Sequence, residues 1–330
     1  MRIVIAHARL NTFGGGERAT LELLRRLSCR HEVELWAGRY QPEATYPELA
    51  AFPRRDLSSA EWLLAKPVAD AVISQTFGSH LLALRHPHTI CYVHTLRSVY
   101  LRGGYRPDLV ARRVLDAMAV RRASAVLANS AFTAGRATQR YRRPVEVLPP
   151  GVDEPFFAVP VSVGSHALYV GRLAPEKGLE RLLRWSADLP IELELVGHGD
   201  AAYVRHLRGI AGPRVRFRGP LTGEGLAEAY AGCRFLAFLP HEEEFGLAAL
   251  EAMAAAKPVI AIREGALPEL VRDGETGMLV SDQEQFGSAA RALLADDALC
   301  LRLGGRGREV AHAYTWDRFA RRIEELCERR

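Results

Sequence analysis

Short apolar runs alternate with longer amphipathic stretches from one end of this chain to the other. The runs fall at residues 2–7, 32–36, 71–74, 89–93, 125–129 and 145–148, and again at 167–170, 192–196, 215–218, 235–239, 259–262 and 277–280. Several, such as AVIS and VIAI, are continuously apolar, as in parallel strands covered on both faces. Helical patterns lie between most of them, so the βαβ unit repeats. The stretch LPPGVDEPFFAVPVSVG at 148–164 is rich in Pro and Gly and breaks the pattern. The reading is α/β: two doubly wound Rossmann-like domains facing a cleft, residues 1–155 and 156–315. A helix beginning at Trp316 follows. Ligands of such sheets bind beyond the carboxyl ends of the strands.

Composition narrows the class. With 330 residues, 48% hydrophobic and 25% charged, the chain has the make-up of an ordinary globular protein with room for two domains. No apolar run reaches the roughly 18 residues of a membrane span. MRIVIAHARL is too short and polar for a signal peptide and reads as a first strand. The five cysteines are scattered with no C-x-x-C, which predicts reduced thiols and a cytoplasmic location. Residues 1–150 hold 22 Lys+Arg against 12 Asp+Glu, a net of +10; the remainder holds 22 against 27, a net of −5. Such asymmetry predicts different partners for the two halves. The net charge of +5 raises the possibility of a basic nucleic-acid-binding protein, but no recognisable module or stacking surface supports it. Only Lys66, Lys177 and Lys257 are lysines, so each is a candidate for a place that needs a compact ammonium.

Candidate chemistry concentrates in a few segments. In EEEFGLAALEAMAAAKP, Glu243 and Glu251 flank a loop-to-helix junction containing Phe245 and Gly246. Free N–H groups at a helix start, beside carboxylates, suit a sugar carried on a nucleotide. The bland alternative is an amphipathic helix with solvated acids. In YVGRLAPEKG, Arg172 and Lys177 bracket a turn after a strand, as a diphosphate would require; two solvated surface cations are the alternative. Gly14, Gly15 and Gly16 precede the helical run 18–27 and could meet a phosphate or a sugar. They also fit G-x-G-x-x-A, with Glu34 further on, the pattern of an NAD-dependent Rossmann oxidoreductase. Residues 9–13 between strand and glycines weigh against that reading, because the dinucleotide turn follows its strand directly. His94 closes a strand and can donate to a ligand oxygen or stabilise developing charge. His86, His88 and His94 lack a completing carboxylate or cysteine, so no metal is expected.

Taken in order, these segments resemble the retaining, GT-B-fold glycosyltransferases of family 4. The resemblance runs over nearly the whole chain: GGGER, YVHT, ANSAFT, PPGVD, VGRLAPEKG, VGHGD, EEFGLAALEAMA and LPELVRDGETGMLV. It implies that Arg172 and Lys177 hold the donor diphosphate and that Glu251 accepts from the ribose. Glu243 would contact the transferred sugar, and backbone groups of Phe245, Gly246 and Leu247 the sugar or phosphate. Gly14 and Gly15 would approach the donor, His94 would sit beside sugar and acceptor, and the closing helix 316–330 would return to the N-terminal domain. The implied reaction moves a hexose from a nucleoside diphosphate sugar to a glycan, lipid-linked or small-molecule acceptor, in bacterial polysaccharide or glycolipid biosynthesis. CYVHTLRSVY resembles branches that use GDP-mannose. No Asp-x-Asp is present, so neither metal nor other cofactor is expected.

The chain departs from the family at Pro240-His241, Gly265-Ala266 and Ala256-Lys257, where Pro-Ser, Gly-Gly and Ala-Gly are usual. Arg97, Arg102, Arg106, Arg112, Arg113, Arg121 and Arg122 cluster around an amphipathic stretch whose Ala111, Val114, Leu115 and Met118 are expected to pack on the core. Its basic face is either solvated or meets an anionic acceptor, with peripheral contact at the inner membrane face.

Overall fold

A computed structural model describes residues 1–96 and 107–329. The chain divides into two compact units, Met1–Gly151 with Trp316–Arg330, and Val152–Thr315.

The first unit is built on seven parallel strands: β1 (Arg2–Leu10), β2 (Glu32–Tyr40), β3 (Arg54–Asp56), β4 (Ala71–Ser74), β5 (Thr89–Val93), β6 (Ala125–Ala128) and β7 (Glu146–Val147). Their order is β3-β2-β1-β4-β5-β6-β7, so the winding reverses between β1 and β4. The apolar runs place β1, β4 and β5 in the middle, where both faces are covered. β3 has no apolar signal, because Arg54, Arg55 and Asp56 are all exposed on the sheet edge. Pairing to β2 and two cation–π contacts hold it: Arg54 lies 4.0 Å from the Tyr40 ring centre and Arg55 4.8 Å from that of Trp36.

The closing helix, Trp316–Glu328, belongs to this unit. Trp316, Phe319, Ala320, Ile323, Leu326 and Cys327 recur at helical spacing and enter the same core as Leu23, Leu24 and Leu27 of the helix Gly15–Leu27. Phe319 meets Tyr92 edge-on at 5.2 Å, and Glu324 bonds His31 at 2.8 Å.

The second unit has six parallel strands: β8 (His166–Val170), β9 (Leu193–Val196), β10 (Val215–Gly219), β11 (Cys233–Phe238), β12 (Val259–Ile262) and β13 (Gly277–Val280). Their order is β10-β9-β8-β11-β12-β13, and the winding reverses between β8 and β11. Each sheet thus has a crevice at a strand-order reversal, the place where open α/β sheets bind ligands.

The three lysines differ in setting. Lys66 is exposed. Lys257 is fully buried, and its ammonium donates to the carbonyls of Ser162 and Ala231, both at 2.8 Å. It ties the segment entering the unit to the end of the helix Gly223–Gly232. Burial pulls its pKa below the usual lysine value. The residue before it, Ala256, takes a left-handed backbone at φ 53°.

Lys257→Met keeps the apolar stem but leaves the partly buried carbonyls of Ser162 and Ala231 without this donor. A loss of about 1–3 kcal/mol is expected, read as a lower urea midpoint at constant slope. Lys66→Met, on the surface, should stay within about 0.5 kcal/mol of the parent.

Candidate active site

In the second unit the residues singled out from sequence converge on the β8/β11 reversal. β8 ends at Val170, and Gly171 (φ 148°) lets the chain turn outward. The Tyr169 hydroxyl donates to the Arg172 carbonyl at 2.9 Å and fixes that turn from beneath. Lys177 lies in the short 3₁₀ turn Pro175–Lys177. Gly178 follows at φ 67°, and a Cβ there would stand 1.9 Å from the Leu239 carbonyl oxygen, so only glycine allows this approach. The two loops are also stitched by hydrogen bonds. The His241 N–H donates to the Glu176 carbonyl at 2.9 Å. The Arg181 guanidinium donates to the carbonyls of Leu239 and Pro240 at 2.7 and 3.1 Å.

This packing brings Lys177 Nζ within 2.7 Å of Glu243 Oε2. Both side chains are largely shielded from solvent. Arg172 is more exposed and pairs with Glu176 at 3.4 Å. Glu243 is held by its backbone: its carbonyl accepts from the Ala266 N–H at 2.8 Å, and Glu242 before it has φ 47°. Gly265 (φ 65°) lies against it so closely that a Cβ would come within 2.3 Å of the Glu243 oxygen. The glycine needed in this loop is therefore Gly265, and the following position tolerates alanine.

Phe245 is buried, and Gly246 (φ 97°) caps the helix Leu247–Ala254. That helix start presents N–H groups without intrahelical partners toward ligand oxygens. Glu251 lies one turn in, and its Oε2 accepts from the Tyr230 hydroxyl at 2.8 Å. Thus Arg172, Lys177, Glu243, Phe245, Gly246, Leu247 and Glu251 all belong to one unit. Sequence reasoning missed Tyr169, Arg181 and Tyr230. Each acts through a hydroxyl or guanidinium that reaches a distant loop, and no local spacing signals that.

In the first unit, His7, Gln75, His94 and the glycine segment cluster at the β1/β4 reversal. His94 Nε2 meets Gln75 Oε1 at 3.0 Å. Burial, then the neighbouring His7 and His80, push the His94 pKa down from 6.5 to about 3. The ring is therefore neutral near pH 7, with its proton on Nε2 and Nδ1 left as an acceptor. His7 lies beneath the glycine segment: a Cβ on Gly16 would sit 3.4 Å from its Nε2. Among the described residues, neither ring nitrogen of His7 makes a well-formed hydrogen bond, and its polar support comes from the Arg9 backbone.

Two observations count against the dinucleotide reading. β1 continues to Leu10, so only Asn11, Thr12 and Phe13 separate it from Gly14, fewer than expected. However, Glu34 lies near the start of β2, not at its carboxyl end, and accepts from Trp36 Nε1 at 2.9 Å. In addition, Glu17 folds back over the glycines. Its Oε1 accepts from the Thr12 hydroxyl at 2.6 Å, and its Oε2 would lie 2.6 Å from a Cβ on Gly14. A carboxylate there repels a pyrophosphate and suits hydroxyl groups.

The ring nitrogens of His86 and His88 lie at hydrogen-bond distance from the backbone carbonyls of Ala69, Asp70, His88 and Leu326. The helix Pro107–Arg122 is oriented differently from expectation. Val114 and Met118 are 53% and 48% exposed, and Val110 is exposed as well. The buried face instead carries Asp116, Ala117, Ala119 and Val120. Asp116 turns it inward by accepting from Tyr141 at 2.9 Å and bonding His80 at 3.0 Å. Of the clustered arginines, Arg97, Arg102 and Arg106 lie outside the described residues. Arg112, Arg121 and Arg122 are exposed, and Arg121 also donates to the Tyr141 carbonyl.

Residues 164–296 match the family model for glycosyl transferases group 1, and residues 13–155 that for glycosyltransferase family 4. The chain belongs to the family 4, group 1 glycosyltransferases. Among curated relatives of this family, the D-inositol 3-phosphate glycosyltransferase of Nocardioides sp. is 29% identical over 72% of this chain and 61% of its own length. That of Geodermatophilus obscurus is 32% identical over 70% and 58%. The chain thus spans about three fifths of the relatives it matches. Among solved structures, HepE of Anabaena in complex with UDP and glucose superposes with a TM-score of 0.82 over 100% of both chains at 18% identity. WaaG, a glycosyltransferase involved in lipopolysaccharide biosynthesis, does so at 0.78, covering 99% of this chain and 100% of WaaG at 16% identity. The GT-B architecture expected of the family is the one observed. Among the described residues, no helix is long and apolar enough to cross a membrane.

The buried His7 gives a pH signature. Burial lowers its pKa from 6.5 to about 3, the Arg9 backbone opposing weakly. The unfolded chain binds a proton at this histidine below pH 6.5 and the native protein does not. Its contribution is therefore intact above pH 6.5 and lost as pH falls toward 3, by up to about 1.4 kcal/mol per pH unit. His7→Leu should flatten the fall in urea midpoint between pH 6.5 and 4.5; an unchanged slope would refute the assignment.

Proposed function

We propose that the chain is a retaining glycosyltransferase that moves a hexose from a nucleoside diphosphate sugar to a glycan, lipid-linked or small-molecule acceptor. One observation carries the reading: the Lys177–Glu243 hydrogen bond at the β8/β11 reversal. It joins a cation suited to a diphosphate with an acid suited to a sugar, from segments 66 positions apart.

In this reading, Arg172 and Lys177 hold the donor diphosphate and stabilise the charge that develops on it as the glycosidic bond breaks. The N–H groups around Phe245, Gly246 and Leu247 add to that field. Glu243 faces the transferred sugar, and Glu251 accepts from the ribose. Gly14 and Gly15 meet the donor's hydroxyl groups, with Glu17 disfavouring phosphate there. His94 meets sugar or acceptor as a neutral acceptor group. The two cations supply the counter-charge, so no divalent ion is needed.

The relatives' name adds a phosphorylated polyol to the candidate acceptors, which accords with the +10 balance of residues 1–150. CYVHTLRSVY favours GDP-mannose as donor, whereas HepE was solved with UDP and glucose. A thermal-shift panel of UDP, GDP, ADP and TDP identifies the base, because a ligand that binds only the folded state raises Tm.

Lys177→Ala and Arg172→Ala are each expected to lower kcat/KM by about 100-fold, with full parental activity retained in EDTA. Near-normal kinetics in both folded variants would overturn the diphosphate assignment, and a strict need for magnesium or manganese would overturn metal independence.

Peripheral membrane contact is part of the proposal. Val110, Val114 and Met118 recur every fourth residue as exposed apolar side chains, and the row continues to the exposed Arg122. Such a face can enter the headgroup region while the arginines meet anionic lipid, each worth about 1 kcal/mol near the surface. Sedimentation with anionic vesicles should show binding that falls from low to physiological salt, and falls further in Val114→Asp/Met118→Asp. No binding at low salt would leave a soluble acceptor as the reading.

A further inference from the structure

Glu251 does not stand alone in the second unit. Tyr230, in the last turn of the helix Gly223–Gly232, is fully buried and reaches the helix Leu247–Ala254 with its hydroxyl. That oxygen lies 2.8 Å from Glu251 Oε2 and 3.1 Å from the Ala248 carbonyl. Both neighbours are acceptors, so the phenol must be the donor. Its ring is clamped by Phe156, edge-on at 5.5 Å. Of its two acceptors, Glu251 Oε2 is the nearer and the charged one. Burial, followed by the charge of Glu251, raises its pKa well above the usual tyrosine value, so the donor is present at any working pH. A hydrogen bond from a neutral donor to a carboxylate is among the stronger ones and fixes the acid's rotamer.

An ionised carboxylate has about four acceptor sites. The phenol contact takes up one of these and directs the carboxylate. A glutamate left to choose among rotamers would lose freedom on meeting a ribose; one already oriented loses less.

We infer that Tyr230 is a positioning residue for the donor nucleotide: by orienting Glu251 it sets the preference for a ribonucleotide over its 2′-deoxy analogue. This rests on the reading of Glu251 as the ribose acceptor. It assigns Tyr230 no contact with the ligand.

The test is isothermal titration of the full chain with UDP, GDP and ADP, each against its 2′-deoxy analogue. Tyr230→Phe is nearly isosteric, and the fitted stoichiometry counts folded protein. In Tyr230→Phe, affinity for the best-bound ribonucleotide should fall by about tenfold, while that for its 2′-deoxy analogue should change little. Glu251→Ala should also narrow the ratio, and the double variant should narrow it no further, because Tyr230 acts through Glu251. A ratio kept by Tyr230→Phe but lost in Glu251→Ala would overturn the inference and leave the ribose reading standing. Ratios kept by both variants would overturn the two together. An additive double variant would mark Tyr230 as general support for the fold and also overturn the inference.

Discussion

The organising interaction is the 2.7 Å contact between Lys177 and Glu243 in a partly shielded site. Two charges removed from water are costly unless paired, and here each neutralises the other. That solves a problem the proposed function creates. A site able to receive a diphosphate must hold cations before the diphosphate arrives, and a site able to meet a sugar's reacting face must hold an acid close by. Keeping the two in contact lets the empty site fold without an uncompensated charge. The choice of lysine follows. An ammonium has three donors arranged around a point, so it can serve a carboxylate and a phosphate oxygen together. A guanidinium tends to lock onto a carboxylate fork to fork. In a chain with only three lysines, one stands at this contact.

The charges do not position themselves. Gly178 permits the 172–178 turn to touch the end of β11, and Gly265 permits the 263–266 segment to touch the backbone of Glu243. Arg181 holds the Leu239 and Pro240 carbonyls, and Tyr169 holds that of Arg172. The functional loop is thus over-determined by backbone contacts, which is how a left-handed Glu242 persists. Substitutions at these supports would move Glu243 without touching its side chain.

The fold class was legible because buried parallel strands cannot hide: their apolar runs are continuous and their spacing regular. β3 escaped because an edge strand of Arg-Arg-Asp is stabilised by ring contacts and pairing, which leave no apolar trace. The helix Pro107–Arg122 was turned to the wrong face because a buried Asp116, bonded to His80 and Tyr141, outweighs the apolar pattern of its neighbours. Hydrophobic periodicity assumes that polar groups face water, and a satisfied buried acid breaks the assumption. The candidate site residues stood out as motifs, but the supports Arg181, Tyr169 and Tyr230 did not. Their partners lie on other loops or helices, and only tertiary structure makes them neighbours.

Both sheets reverse their strand order, so both offer a ligand crevice, yet the two are equipped oppositely. The β8/β11 reversal carries Arg172, Lys177 and a bare helix start capped by Gly246. The β1/β4 reversal also leads to a glycine-capped helix start, but there Glu17 has folded over the glycines and accepts from Thr12. A helix N-terminus attracts anions, and the chain's own carboxylate lies close to this one. The neighbouring imidazoles of His7 and His94 are held neutral by burial, so they add no compensating charge. Under the proposed function, the β8/β11 reversal takes the phosphates and the β1/β4 reversal meets hydroxyl groups. The two reversals are thus lined differently: cations paired with acids at β8/β11, and a carboxylate beside two neutral imidazoles at β1/β4.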